Sequence, residues 1–241
     1  MSTVTIRQRT RENQIVKTYT ATPVISTGAA GFNSLTWDGH SMWCCSNGDL
    51  VSSGLMMQVD LETNSNIYEF NVTGLANKHN IYDIVFNGEQ IRCIEGLSPA
   101  ADKSFLLDRI PGPVTMPLTS PATTINGSSL GLTFDGESYW ISRITTFIAA
   151  QTTFEQWSPD GAGLLILTKS FTLPQEVGGL TFDGEFLVCH PKITVGVSNF
   201  DLFYIDRDGN IEKNNAGEVT TLAHRDGLTF DGEFIYSLEF S

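Results

Sequence analysis

Short runs of alternating apolar and polar residues fill the chain, and they come in pairs divided by a brief polar turn. Five of these pairs are nearly alike: "SLTWDGHSMW" (34–43), "DIVFNGEQIR" (83–92), "GLTFDGESYW" (131–140), "GLTFDGEFLV" (179–188) and "GLTFDGEFIY" (227–236). Alternation with a period of two predicts half-buried β-strands, and Asp-Gly or Asn-Gly between two apolar runs predicts a tight hairpin. Both dipeptides tolerate positive φ, so the expected connection is a two-residue type I′ turn. Asn87 stands where the other four units carry Asp38, Asp135, Asp183 and Asp231. An exchange that keeps turn chemistry while removing the charge argues that these residues shape a turn, and argues against a metal-binding or catalytic carboxylate array.

A second, more variable hairpin follows in four of the units: "LMMQVDLETNSNIYEFNV" (55–72), "SFLLDRIPGPVTMPL" (104–118), "FEQWSPDGAGLLILTKSF" (154–171) and "DLFYIDRDGNIEKN" (201–214). Each unit therefore reads as four strands, A to D. The turn dipeptides recur at intervals of 48 or 49 residues. The fifth unit stops after its first hairpin, and the missing pair is matched by "TVTIRQRT" (3–10) and "NQIVKTYTA" (13–21) at the start of the chain. Residues 1–22 are thus expected to supply strands C and D of the last unit, hiding edges that would otherwise pair with other chains.

Repeats of this length, three of them carrying "LTFDG" followed by an apolar strand and the other two close variants of it, resemble those of β-propeller proteins, and the resemblance covers the whole chain. It implies an all-β, five-bladed β-propeller of four-stranded blades, residues 1–241 forming one domain, with the ring closed by the N-terminal strands. Five blades is the count found in tachylectin-type lectins, five-bladed glycoside hydrolases and some calcium-dependent nucleotidases. Their specific motifs are missing from this sequence, so the resemblance implies an architecture and no particular activity.

Composition narrows the partners. The 27 acidic and 14 basic residues leave a formal charge of -13, which would repel a phosphate backbone and speaks against nucleic acid. No stretch approaches the roughly 18 apolar residues of a membrane span, and the N-terminus lacks the apolar core of a signal peptide. A soluble protein without membrane insertion, cytoplasmic or virion-associated, is expected. Cys44, Cys93 and Cys189 share the slot six residues after the turn Asp or Asn. Equivalent slots in different blades do not face one another, so free buried thiols are expected, with Cys44 and Cys45 on opposite faces of their strand.

The remaining chemistry is sparse. Trp43, Trp140 and Tyr236 share the slot five residues after the turn, and a recurring aromatic at strand spacing predicts packing more readily than sugar stacking. "DRDGN" (206–210) starts like a calcium loop, but Ile211 and Gly217 stand where that motif needs Gly and Glu, so a hairpin turn is expected. No metal or cofactor is expected. One constellation breaks the repeat at the approach to strand A: His79 with Asp83, and His224 with Asp226. Mixed charge at the mouth of a central channel would suit a small polar ligand, and these four residues are the candidate binding site. The leading functional expectation is a non-enzymatic binding or assembly module for a glycan or protein partner, such as a virion or tail component. The alternatives are a five-bladed glycoside hydrolase, which needs a third carboxylate such as Glu176, and an intracellular protein-interaction scaffold.

Overall fold

A computed structural model describes residues 4–22, 32–46, 54–72, 80–96, 103–109, 123–126, 128–144, 151–161, 164–191, 198–217, 219–220 and 224–240. The chain opens with β1 (Val4–Arg9) and β2 (Ile15–Ala21). The first repeat unit follows as β3 (Phe32–Trp37), β4 (Met42–Ser46), β5 (Gly54–Asp60) and β6 (Ser65–Val72), and the second as β7 (Asn80–Phe86), β8 (Ile91–Gly96), β9 (Lys103–Arg109) and β10 (Thr123–Asn126). The third is β11 (Ser128–Phe134), β12 (Tyr139–Ile144), β13 (Thr152–Pro159) and β14 (Leu165–Leu173). After these come β15 (Val177–Phe182), β16 (Leu187–Pro191), β17 (Ser198–Asn199), β18 (Leu202–Ile205), β19 (Ile211–Asn215), β20 (Val219–Thr220), β21 (His224–Phe230) and β22 (Ile235–Phe240).

Among the described residues these strands form five four-stranded antiparallel sheets and one short pair, β17 with β20. The innermost strands close a ring, with β3 packed on β7, β7 on β11, β11 on β15, β15 on β21, and β21 back on β3. That arrangement is a β-propeller. The last sheet has the order β2-β1-β22-β21, so the N-terminal hairpin completes the C-terminal sheet as the repeat pattern predicts. Register runs unbroken from Val4 opposite Phe240 to Arg9 opposite Ile235.

The core is divided among the seams between sheets. Trp43, Cys45 and Met56 of the first unit pack on Ile81, Ile84 and Cys93 of the second. Val188, Leu202 and Tyr204 likewise pack on Leu228 and Ile235 of the last sheet. Strand alternation explains this: successive residues of a B strand serve opposite seams, so Cys44 lies in the seam with the last sheet while its neighbour Cys45 lies in the seam with the second. All four cysteines are buried free thiols.

The A-to-B connections differ from the expected two-residue turn. Trp37 pairs with Met42, so the loop holds four residues, and the Asp38 N–H donates to the Ser41 carbonyl at 3.2 Å. Only the glycine takes positive φ, at 96° for Gly39 and 95–107° at the equivalent Gly88, Gly136, Gly184 and Gly232, whereas the Asp or Asn does not. The second unit departs from the reading of 104–118 as a hairpin. Residues 110–118 lie outside the described residues, and the fourth strand of that sheet is Thr123–Asn126, which pairs with Lys103–Leu106.

Candidate functional site

The repeated Asp side chains are fully engaged in holding their own turns. In each, one oxygen accepts two backbone N–H groups: His40 (2.8 Å) and Ser41 (2.7 Å) for Asp38, and Glu137 (3.0 Å) and Ser138 (2.7 Å) for Asp135. The second oxygen takes a donor from the slot five residues on. Trp43 Nε1 reaches Asp38 at 2.6 Å, Trp140 Nε1 reaches Asp135 at 2.9 Å, and the Tyr236 hydroxyl reaches Asp231 at 2.8 Å. The indoles are therefore buried donors, and neither presents a face for sugar stacking. Burial works against the charge of Asp38, but the bonds from Trp43, Ser41 and His40 prevail and hold its carboxyl below the usual range.

Where the donor slot cannot donate, the arrangement changes to match. Val188 occupies it in the fourth unit, and Arg11 of the N-terminal hairpin approaches Asp183 instead, at 3.7 Å, while donating to its carbonyl at 2.9 Å. In the second unit the turn residue is Asn87, whose amide donates to the Tyr139 hydroxyl at 2.7 Å, and the slot carries Arg92, stacked on Tyr139 at 4.2 Å.

Four residues before each turn, the inner strand comes closest to its neighbour. The slot holds Ser34, Asp83, Gly131, Gly179 and Gly227. A Cβ on Gly131 would lie 2.7 Å from the Leu180 Cβ and 2.8 Å from its backbone nitrogen, and one on Gly227 would lie 2.9 Å from the Ser34 Cα. Ser34 and Asp83 fill the same position by bonding across the seams. The Ser34 hydroxyl donates to Asp83 and accepts from the Ile84 N–H at 3.0 Å, while the second Asp83 oxygen accepts the Leu132 N–H. Asp83 is 2% exposed and ties β3, β7 and β11 together. Thr36 and Thr229 add parallel staples, accepting the N–H of Phe86 at 2.9 Å and of Trp37 at 3.2 Å from the next sheet.

Of the four candidate ligand residues, Asp83 is thus a buried tie within the ring, with its carboxylate directed to neighbouring strands. His224 and Asp226 lie on β21, which flanks β3 on the side opposite β7. Their side chains, and His79 altogether, fall outside the described residues. Among the described residues no group of His, Cys, Asp and Glu could hold a metal ion. Asp206 of "DRDGN" accepts the N–H groups of Asp208 and Asn210, each at 2.8 Å, as a hairpin turn requires.

Sequence reading missed a second polar cluster, in the seam between the fourth and last sheets. Arg9, fully buried, donates from Nε to Ser237 at 3.0 Å and from Nη1 to Asn13 at 3.3 Å, and its guanidinium lies 4.4 Å from the Phe200 ring centroid. Asn13, at φ 67°, donates to the Phe200 carbonyl at 2.6 Å. His190, 1% exposed, packs its ring on Phe200 at 4.9 Å and places Nδ1 2.7 Å from the Pro191 carbonyl. Burial, and then the Arg9 charge, push its pKa down to about 4 despite the Pro191 carbonyl. The repeat did carry a signal, since the slot seven residues after the turn holds Cys45, Ile94, Ser142 and Leu238 in the other units.

The closed ring of sheets defines the class as an all-β propeller. Comparison with protein-family models gives no match, and neither does comparison with curated proteins. Solved structures that resemble the chain include the Dos1 propeller, at 9% identity and TM-score 0.46, covering 98% of this chain and 73% of that one. A gluconolactonase, XC5397 from Xanthomonas campestris, aligns at 12% identity and TM-score 0.47 over 88% of this chain and 87% of its own. Apo AztD from Citrobacter koseri aligns at 7% identity and TM-score 0.43, over 98% of this chain and 60% of its own.

Proposed function

We propose that the chain is one domain, a five-bladed propeller with one blade per four-stranded sheet, and that it serves as a non-enzymatic binding or assembly module. Its partner is a glycan or a protein, taken at the mouth of the ring where His79, His224 and Asp226 depart from the repeat. The observation that supports this reading best is the use of Asp83: the one carboxylate in the inner-strand slot is bonded to Ser34, Ile84 and Leu132. A glycosidase would require carboxylates turned toward substrate. An inner ring tied by side-chain bonds between strands is instead a rigid platform, and rigid scaffolds with variable loops are well suited to recognition.

The test combines glycan-array binding with hydrolysis of aryl glycosides, using the wild type, His224→Ala and Asp226→Asn. Saturable binding without turnover, weakened at least tenfold in both variants, is the expected result. Turnover abolished by Asp226→Asn would establish the hydrolase instead. Binding unaffected by either substitution would move the site away from the mouth.

A further inference from the structure

We propose that acid opens the molecule at its N-terminal clasp, with His190 as the trigger and Arg9 as the charge set against it. The clasp is the β1–β2 hairpin, which pairs along β22, shares a buried cluster with the first sheet through Val4, Ile6, Tyr19 and Ala21, and meets the fourth sheet through its turn. That turn is docked densely: Asn13 donates to the carbonyls of Phe200 and Asn215, the Tyr204 hydroxyl and Asn215 amide donate to the Arg11 carbonyl, and Arg11 reaches Asp183. Gly217 leaves room for it, since a Cβ there would lie 2.5 Å from the Asn13 Nδ2 and 1.6 Å from the Phe200 carbonyl oxygen that Asn13 binds.

His190 stands behind this contact in a state that suits neutral imidazole alone. Nδ1 donates to the Pro191 carbonyl, which leaves the lone pair on Nε2. Nε2 is buried and has no hydrogen-bond partner among the described residues. Uptake of a proton from solvent there would create a buried N–H donor with no acceptor among the described residues, and an imidazolium packed on the same Phe200 ring that carries the Arg9 guanidinium. Arg9 on β1 is the charged group that bears on His190 electrostatically. On β15 Gly178 stands opposite in register, and β22 contributes the neutral Ser237, held by Arg9. The side chains of His224, Arg225 and Asp226 on β21 lie outside the described residues. Two cations packed on one buried aromatic ring separate most readily by release of the element that carries one of them, which is the clasp.

The linkage has a defined sign and window. A histidine whose folded pKa is lowered, here from 6.5 to about 4, leaves the native state fully stable above 6.5 and weakens it progressively as pH falls toward 4. The experiment is hydrogen exchange read by mass spectrometry on the full chain between pH 7 and 4.5, corrected for intrinsic exchange rates. Amides of residues 4–21 should open more readily by roughly tenfold per pH unit below 6.5, reaching on the order of a hundredfold, while those of β13 and β14 hold. His190→Leu, which installs the residue found at this slot in the last sheet, should remove that dependence. Equal pH dependence in wild type and variant, or simultaneous opening of every sheet, would overturn the proposal. If the variant does not fold, imidazole NMR of the wild type decides: His190 titrating near 6.5 in a protein with unchanged exchange at residues 4–21 would also overturn it. The inference is independent of any ligand at the ring mouth.

Discussion

At the scale of single residues, each turn carboxylate is a two-sided acceptor, and its two oxygens respond differently to substitution. Asp135→Asn keeps the bonds from Glu137 and Ser138 but sets an amide NH2 against Trp140 Nε1 and removes the charge facing Arg207 at 3.4 Å. The expected loss is about 1–3 kcal/mol, measured from denaturant midpoints, because a buried indole N–H is left without an acceptor. Asn87 escapes that penalty, since its amide donates to Tyr139 and no indole stands at the donor slot. Sequence therefore revealed a turn role for these residues but missed the second oxygen, whose partner depends on how a side chain five residues away is buried. Gly131→Ala is the complementary case. A methyl there meets Leu180 backbone, and a cost of about 1–3 kcal/mol from overpacking should appear as a lower Tm.

At the scale of elements, the clasp concentrates the risk. Deleting residues 1–22 removes β1, the strand paired along β22, together with β2, and leaves the full length of β22, Ile235 to Phe240, as an open edge. The product should aggregate or fail to fold, visible as loss of the monomer peak in size-exclusion chromatography. A monomer with an unchanged cooperative melt would show that the last sheet stands without its N-terminal half. The clasp was legible in the sequence because a missing strand pair at one end and a spare pair at the other is a matter of counting repeats. Its anchoring was not legible: Arg9, Asn13 and His190 are brought together only when the hairpin turn meets a different sheet.

At the scale of the whole molecule, two features of the buried interior can be read in solution. Burial raises the Cys44 and Cys189 thiols well above their ordinary value, and Cys45 is raised by burial and then by the charge of Asp83. All four cysteines should be inert to Ellman's reagent in the native state and react in denaturant. Acid stability should show two stages. The first, between pH 6.5 and 4, belongs to His190 and is worth about 3 kcal/mol. The second belongs to carboxylates such as Asp38, whose lowered pKa stabilises the fold fully above 3.8 and is lost as pH falls through the folded value. A melting curve recorded across pH should separate them, and His190→Leu should delete the first stage alone.

The amino-acid sequence by itself determined most of the strands and turns, the repeat and the closure by residues 1–22, though not the fourth strand of the second unit. Each of these follows from local alternation and turn chemistry recurring at a fixed interval. Only the tertiary structure decided what the repeat-breaking residues do. Asp83 read as a candidate ligand residue because its slot holds Gly or Ser in the other units. In the ring that slot is where adjacent inner strands nearly touch, so a carboxylate placed there is drawn to the neighbouring hydroxyl and N–H groups. His190 gave no warning beyond its place in the repeat, because its surroundings come from β1 and the residues before β18. Periodicity records which way a side chain points from its own strand, while the groups it meets are supplied by segments far away in the chain.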